Sequence, residues 1–283
     1  MKKRILFLIL GISIALILSV FGFLMIRRDV AFRIFQRIRL TFSNADVVIA
    51  EIETKKSSLS DFEINSTLML INEEHPIPEN TSVFLTKIDS HFIASKLETP
   101  YKALCHSIKE KYGDALKIRS SYRTKEEQEE IYGTLSDTVA AKVNASEHQI
   151  GMALDVYIDG TVGGAILTTE AGRYLHSHAH EFGFVIRYPY GKSDITGITY
   201  EPWHIRYVGK PHAEIMYRES LTLEEYILDF LEPNVYYQID SYYISRQIPE
   251  NNEIDLPDTY TSIEIAYDNC GGYIVTAYSD LNA

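Results

Sequence analysis

Residues 146–155 read Ser-Glu-His-Gln-Ile-Gly-Met-Ala-Leu-Asp, and residues 201–207 read Glu-Pro-Trp-His-Ile-Arg-Tyr. The first segment runs into the apolar stretch Ala153 to Ile158, which is typical of a short strand. Gly151 allows a sharp entry into that strand, because glycine tolerates backbone angles that other residues avoid. We therefore expect the strand to aim Asp155 at the same place as the histidine three residues before Gly151.

The residue types in these two segments suit a catalytic metal. His148, Asp155 and His204 offer two imidazoles and a carboxylate, and three protein ligands plus water is the usual arrangement of catalytic zinc. Glu201 lies three residues before His204, so it can sit beside the metal without binding it, where a general base belongs. Taken alone, each of these residues could have an ordinary structural role, such as a hydrogen-bonded histidine or an aspartate in a turn. Their joint occurrence, with Gly, Trp and Arg at fixed offsets, favours a metal site.

Strands and helices alternate outward from these segments, beginning near Leu68. We expect an α+β fold in which a small antiparallel sheet with flanking helices surrounds the zinc site. A capping box at Thr124 marks the start of one helix. The predicted helices are 99–111, 124–132, 170–181 and 223–231, and the predicted strands are 116–120, 153–158, 184–186 and 204–208.

The regions on either side of this domain differ from it in sequence pattern and are predicted to be separate segments. An uncharged run from Ile5 to Ile26 lies between basic residues and is long enough to cross a bilayer. We therefore expect a transmembrane anchor over 1–28, a juxtamembrane stalk over 29–65, the zinc domain over 66–232 and a small β-rich extension over 233–283. The basic residues after the run outnumber those before it, which counts against an external body. An extracellular location is inferred from the chemistry.

Composition narrows the possible functions. A hydrophobic fraction of 46% and a charged fraction of 23% are those of a globular protein. The net charge of -12 argues against a nucleic acid as a partner. Cys105 and Cys270 are too few for a disulfide framework, and whether they pair stays open. The alternating histidines 176, 178 and 180 lie in a helical context, where residues two apart diverge, so we do not expect them to bind metal.

The two quoted segments resemble the SxHxxGxAxD and ExWHxRY motifs of VanY-type D-alanyl-D-alanine carboxypeptidases, zinc peptidases that trim the stem peptide of bacterial peptidoglycan. Residues 120–124, Ser-Ser-Tyr-Arg-Thr, followed by Gln128, are similar to that family's substrate-binding segment. The resemblance covers roughly residues 68 to 210, and no motif position departs from the pattern. It implies a stem peptide ending in D-alanine as the substrate. The anchor, the stalk and the C-terminal extension lie outside the resemblance and gain no support from it.

The same resemblance implies a role for each motif residue. His148, Asp155 and His204 would hold one Zn²⁺ per chain, and Glu201 would be the catalytic base. Arg123 would steady either the developing oxyanion or the terminal carboxylate of the substrate, since a guanidinium matches two oxygens. The implied substrate contacts also include Gln128, Ser146 and Trp203, the last as the floor of the cleft.

Two other functions are compatible with the sequence. The motifs are shared with L,D-carboxypeptidases, which remove D-alanine from tetrapeptide stems, and the difference depends on pocket shape. A zinc-containing module that only binds peptidoglycan or a partner is the non-enzymatic alternative. Glu201 and Arg123 argue against that module, because a structural zinc site needs neither residue.

Overall fold

The segment around residues 153–158 forms the middle of an antiparallel sheet in the computed structural model of the chain. The structure describes residues 2–40, 46–134 and 141–280, and for residues 2–12, 15 and 35–40 it describes the backbone alone. It has mixed α and β character with several small sheets, as the sequence predicts. The α-helices in chain order are α1 Lys2–Ile26, α2 Arg28–Leu40, α3 Glu98–Tyr112, α4 Lys125–Thr134, α5 Glu170–His178, α6 Ser193–Thr196, α7 Lys210–Glu219 and α8 Leu223–Glu225.

Local sequence signals set the helix ends. Gly113, with φ of 75°, ends α3, and its N–H bonds to the carbonyl of Lys109. The capping box before α4 is present, because the Glu127 N–H donates to Thr124 Oγ1 at 3.2 Å and the Thr124 N–H donates to Glu127 Oε2 at 2.8 Å. The predicted helix 223–231 forms as α8 followed by a π-helical turn, Tyr226–Phe230.

The strands fall into one sheet of four, one of six and two ribbons of two. In chain order they are β1 Val48–Ile49, β2 Thr54–Ser58, β3 Ile64–Asn65, β4 Leu85–Ile88, β5 His91–Ala94, β6 Leu116–Ser120, β7 Ala153–Ile158, β8 Phe184–Ile186, β9 His204–Tyr207, β10 Tyr236–Ile239, β11 Tyr242–Gln247, β12 Glu253–Pro257, β13 Ser262–Tyr267 and β14 Tyr273–Tyr278.

The four-stranded sheet has the order β6-β7-β9-β8 and is antiparallel throughout. Its apolar side chains pack against α3 and α5 in one core that includes Leu104, Ile108, Leu154, Leu175 and Ile205. Such burial is the main favourable term in folding. The sheet is therefore a rigid platform for the strands that carry the motif residues.

The prediction of a separate stalk over 29–65 is wrong from Val48 onward. The strand β1 pairs with β10, β2 pairs with β12, and β3 pairs with β13. These strands join the C-terminal part of the chain, in which the six-stranded sheet has the order β1-β10-β11-β14-β13-β3. This pairing could not be predicted from the sequence, because β1 and β3 have only two residues each and β2, Thr-Lys-Lys-Ser-Ser, has no apolar face.

A second core joins the C-terminal sheet to the motif-bearing part of the chain. Leu68, Leu70 and Val208 pack with Ile244 and Ile274 in one buried cluster. Both cysteines are free.

The membrane-spanning part of the sequence prediction is not confirmed. Within the part of the chain that the structure describes, no helix is both long and apolar enough to cross a bilayer.

Candidate metal centre

Adjacent strands of the four-stranded sheet carry two of the expected ligands. Asp155 on β7 is the register partner of His204 on β9. Side chains of such a pair project from the same face and lie close together. His148 comes from the 3-10 turn Glu147–Ile150 that leads into β7. The sheet thus brings together side chains from both motifs.

Gly151 makes the turn before β7 possible. Its φ of 67° lies in the left-handed region, and a Cβ there would stand 2.8 Å from the backbone nitrogen of Ala94. That nitrogen donates to the Gly151 carbonyl at 2.9 Å. The close approach of the two backbones therefore requires glycine, as the sequence predicts.

The three expected ligands converge. One ligand atom each of His148, Asp155 and His204 lies within 4.8 Å of the other two. Asp155 Oδ2 is 3.4 Å from His148 Nε2, and Asp155 Oδ1 is 3.1 Å from His204 Nδ1. Among the described residues this is the one group of His, Cys, Asp or Glu so arranged.

Unsatisfied atoms in this cluster indicate that a cation belongs there. His148 Nε2 and Asp155 Oδ1 are buried and have no hydrogen-bond partner among the described residues. Buried polar atoms without partners are rare in native proteins and require an explanation. Two imidazole nitrogens and a carboxylate oxygen are the donors that catalytic zinc takes. The residues present therefore fit a zinc ion.

The ring of His148 is held in the orientation that a ligand needs. Its Nδ1–H donates to the backbone carbonyl of Ser121 at 2.7 Å. This bond fixes the proton on Nδ1 and leaves the lone pair of Nε2 directed at Asp155, as in most metal-binding histidines. Burial lowers the pKa of His148, so the ring is neutral and able to ligate at pH 7.

The charges of the site favour a cation. Burial alone would raise the pKa of Asp155, but the neighbouring His148 and His204 hold it well below its ordinary value. Burial alone would lower the pKa of His204, yet Asp155 and Glu147 raise it to about 9 in the metal-free protein. His204 therefore holds a proton where the cation would bind, and the ion must displace it.

Glu201 stands next to the ligands. Its Oε2 is 3.6 Å from His204 Nδ1, and its side chain is buried. The backbone fixes this place, because the Glu201 N–H bonds to the Tyr188 carbonyl and the His204 N–H bonds to the Glu201 carbonyl. Burial raises the pKa of Glu201 to about 7. A carboxyl group with that pKa both accepts and releases protons near neutral pH.

Arg123 reaches the cluster from the loop between β6 and α4. Its Nη2 donates to Asp155 Oδ2 at 2.9 Å, its Nε to Ser120 Oγ at 2.9 Å and its Nη1 to Gln128 Oε1 at 3.2 Å. These contacts use three of the five guanidinium N–H groups. Arg123 thus contacts the expected ligand Asp155 and has two further N–H groups that these three bonds do not use.

Gln128 lies behind Arg123, and its role as a substrate contact stays a prediction. The side chain is fully buried, its oxygen accepts from Arg123, and its nitrogen donates to the Ala141 carbonyl at 2.6 Å. Since both ends of the amide are occupied, Gln128 supports Arg123 from behind.

The other two predicted contacts lie near the ligands. Ser146 is buried at the start of the turn that carries His148. Trp203 is partly buried, and its ring faces Gly163, where an added Cβ would lie 3.5 Å from the indole. Its carbonyl accepts from the Val156 N–H at 2.9 Å, which locks the strand before His204. Both positions are compatible with the roles implied by the motifs, which stay predictions.

Glu147 and Arg206 lie inside the quoted motifs, yet no role for either was predicted from the sequence. Arg206 is fully buried, and its Nη2 donates to the carbonyls of Thr67 and Met69. Glu147 lies between Arg206 and Arg187, which is also buried. Burial alone would raise the pKa of Glu147, but the two guanidinium groups outweigh it and hold the pKa well below its ordinary value. Charged residues at strand and turn positions expected to be buried were the signal that could have identified this cluster.

The histidines 176, 178 and 180 have other contacts. His176 Nε2 lies 3.2 Å from the Tyr200 hydroxyl, and His178 Nδ1 lies 2.7 Å from Glu181 Oε1. His180 stacks on Tyr217 with ring centroids 3.7 Å apart. These residues lie on α5 and the turn after it and serve packing.

The chain is similar in sequence to known carboxypeptidases. The VanY family model, described as D-alanyl-D-alanine carboxypeptidase, matches residues 90–210. A D-alanyl-D-alanine carboxypeptidase of Enterococcus faecium is 31% identical over 250 residues, which cover 80% of this chain and 80% of that protein. The match therefore extends beyond the motif-bearing region.

The chain is also similar to solved structures of two vancomycin-resistance peptidases. A mutant of the vancomycin-resistance D,D-pentapeptidase VanY from a VanB-type cassette, in complex with Zn(II), is 33% identical with a TM-score of 0.51, covering 56% of this chain and 98% of that one. The vancomycin-resistance D,D-dipeptidase VanXYg, in complex with a D-Ala-D-Ala phosphinate analog, is 25% identical with a TM-score of 0.68, covering 81% of this chain and 100% of that one.

Proposed function

We infer that this chain, which belongs to the VanY family of D-alanyl-D-alanine carboxypeptidases, is a zinc-dependent D,D-carboxypeptidase that removes the terminal D-alanine from peptidoglycan stem peptides. The observation that carries this function is the convergence of His148, Asp155 and His204, with the carboxyl group of Glu201 beside them and outside the ligand set. The zinc complex of the similar VanY and the D-Ala-D-Ala analog bound to the similar VanXYg support the metal and the substrate class.

The chain's own residues account for the proton transfers of peptide hydrolysis. Zinc, when bound, supplies Lewis acidity for the attacking water and the scissile carbonyl. Glu201 takes a proton from that water on its Oε2 side and delivers it to the departing D-alanine amine. Its position beside the expected ligands and outside that set suits both steps.

Arg123 is proposed to bind negative charge on the substrate. Each of its three guanidinium nitrogens donates one hydrogen bond, to Ser120, Gln128 or Asp155, so the group is fixed before the substrate arrives. A preorganised cation stabilises a developing oxyanion or a terminal carboxylate without reorganisation during the reaction. Ser146 and Trp203 are proposed to line the same cleft.

Product analysis tests the substrate preference. The full chain is incubated with a pentapeptide stem ending in D-Ala-D-Ala and, separately, with the tetrapeptide stem that ends in a single D-alanine, and the products are weighed. We expect the pentapeptide to lose one alanine residue and the tetrapeptide to stay intact. Preferred cleavage of the tetrapeptide would identify the L,D-carboxypeptidase alternative, and cleavage of neither would favour a zinc-containing binding module.

The biological setting is proposed to be the bacterial cell wall. Trimming stems that end in D-alanine serves ordinary wall maturation and also glycopeptide resistance, in which the drug's D-Ala-D-Ala target is removed. The similarity to two vancomycin-resistance enzymes supports the second setting. Deleting the gene and measuring both wall composition and glycopeptide susceptibility would separate the two.

We also propose that residues 5–26 anchor the chain in the cell membrane as a single-pass segment, with the catalytic part on the extracellular face, where stem peptides lie. The support is the uncharged run from Ile5 to Ile26 and the exposure of most of the apolar side chains described between Ile14 and Ile26, the last at 82%. Basic residues after the run count against this orientation. Protease digestion of intact protoplasts should degrade the catalytic part; full protection would contradict the proposed orientation.

A further inference from the structure

Four charged side chains form a buried cluster directly behind the metal ligands. Glu147 Oε1 lies 2.6 Å from Arg187 Nε and 2.7 Å from Arg206 Nη1. Arg187 also donates to both oxygens of Glu224, at 2.6 and 2.9 Å. Charges are seldom buried unless they are paired, and the two acids balance the two arginines here.

The two oxygens of Glu147 have different surroundings. Oε1 faces both arginines, whereas Oε2 is buried and has no hydrogen-bond partner among the described residues. Nε2 of His204 lies 3.9 Å from Oε2. That nitrogen is likewise buried and lacks a hydrogen-bond partner within the described part of the chain.

The other face of His204 is directed at the metal site. Its Nδ1 lies 3.1 Å from Asp155 Oδ1 and 3.6 Å from Glu201 Oε2. If Nδ1 is to ligate, it must carry the lone pair and Nε2 must carry the proton. The partnerless oxygen of Glu147 then faces the partnerless N–H of His204.

We propose that Glu147 is a positioning residue for the metal ligand His204. Its Oε2 accepts the Nε2–H of His204 and thereby fixes the tautomer whose lone pair, on Nδ1, points at the ion. The separation of 3.9 Å is too long for a hydrogen bond, and closing it by about 1 Å would satisfy both buried atoms. The inference rests on the proposed function only in that His204 ligates zinc.

The arginines make Glu147 an effective acceptor. By holding Oε1 from two sides, Arg187 and Arg206 set the rotation of the carboxylate and leave Oε2 on the histidine side. A carboxylate or carbonyl behind a metal-bound histidine orients the ring and raises its basicity. His148 has such a partner in the Ser121 carbonyl, so Glu147 supplies for His204 what the backbone supplies for His148.

Glu147→Gln tests the proposal, and Glu224→Gln is its matched control. A glutamine has a single acceptor oxygen, which the two arginines take, so its NH₂ group turns towards His204. That donor favours the opposite tautomer, in which Nδ1 is protonated and unable to ligate. Glu224→Gln removes the same charge from the same arginine, Arg187, without touching His204.

Zinc affinity, measured by competition with a chelator on each full-length variant, is the readout. We expect Glu147→Gln to weaken zinc binding by about 10- to 100-fold, and Glu224→Gln to lower the thermal midpoint while leaving zinc affinity within about threefold of the parent. Equal zinc affinities for the two variants would overturn the positioning role. Failure of the parent to bind zinc would instead contradict the proposed function.

A measurement on the unmodified protein covers the case in which Glu147→Gln does not fold. In zinc-loaded protein labelled with ¹⁵N-histidine, we expect His204 to carry a slowly exchanging proton on Nε2 and His148 to carry its proton on Nδ1. A His204 ring protonated on Nδ1, or an Nε2 proton that exchanges with water as fast as that of an exposed histidine, would refute the role of Glu147.

Discussion

At the scale of single residues, the proposed function depends on Glu201, a buried carboxyl group beside the three expected ligands but outside that set. Glu201→Gln keeps the shape of the side chain and removes its ability to take a proton. We expect kcat to fall by about 10²- to 10⁴-fold while zinc stays bound in the parent's stoichiometry. Elemental analysis and stem-peptide kinetics measure the two effects separately.

His204→Ala is the matching variant, because it removes a ligand and should abolish metal occupancy together with activity. If Glu201→Gln turned over substrate at nearly the parental rate, Glu201 would not be the base. If it lost zinc as His204→Ala does, Glu201 would belong to the ligand set.

The pKa of His204, raised to about 9 by Asp155 and Glu147 against the effect of burial, predicts how zinc affinity changes with pH. In the metal-free protein below that pH the ring holds a proton that the ion must displace, so zinc binds more tightly as pH rises. We expect the apparent affinity to increase about tenfold per pH unit between about pH 7 and pH 8.5. Chelator competition at several pH values checks this, and a flat profile over that range would contradict it.

Residue identities in the site were predictable to different degrees. His148, Asp155 and His204 could be named from sequence because metal chemistry limits the residue types and the motifs fix their spacing. The contact between Gln128 and Arg123 was not predicted, since helical spacing does not tell whether a neighbouring guanidinium already occupies an amide. Glu147 was missed because its partners, Arg187 and Arg206, become neighbours only when the sheet forms.

At the scale of elements, the turn between His148 and β7 is the feature that aligns the ligands. Gly151→Ala forces a side chain into the left-handed region and against the backbone of Ala94. Gly160→Ala is the control, because Gly160 has a φ of 79° but open space around its Cβ position. We expect Gly160→Ala to cost about 1 kcal/mol and Gly151→Ala to cost more and also weaken zinc binding.

Urea unfolding of the zinc-free proteins gives the two stabilities, and chelator competition gives the zinc affinities. Equal losses of stability for the two variants, with unchanged zinc binding in both, would mean that the close approach of Gly151 to Ala94 does not shape the metal site.

Elements with strong local signals were predictable, and those defined by distant partners were not. The helix α3 and the capping box of α4 follow from apolar spacing and from Thr124 with Glu127. The central strands β7 and β9 follow from their apolar runs. The pairing of strands β1 to β3 could not be predicted, because each pairs with residues about two hundred positions later in the chain.

At the scale of the whole molecule, the segment before the catalytic core is part of the C-terminal sheet. Strands β1 and β3 cover both edges of the six-stranded sheet, and β2 covers β12. A chain that begins at residue 66 lacks all three strands and exposes the edges of β10 and β13. Exposed edges promote association with other chains.

We therefore predict that a chain starting at residue 66 melts at lower temperature and aggregates, whereas one starting at residue 46 stays monomeric with a cooperative transition. Thermal scans with light scattering compare the two. Equal melting temperatures and equal solubility would show that residues 46–65 contribute nothing to the folded body, as a separate stalk would.

Restoration of activity by zinc tests the central claim most directly. The full chain is stripped with a chelator, dialysed, and titrated with Zn²⁺ while D-alanine release from a pentapeptide stem is measured. The arrangement of His148, Asp155 and His204 predicts no release without metal and full recovery at one zinc per chain. D-alanine release that persists in the stripped protein, or that zinc does not restore, would contradict the account.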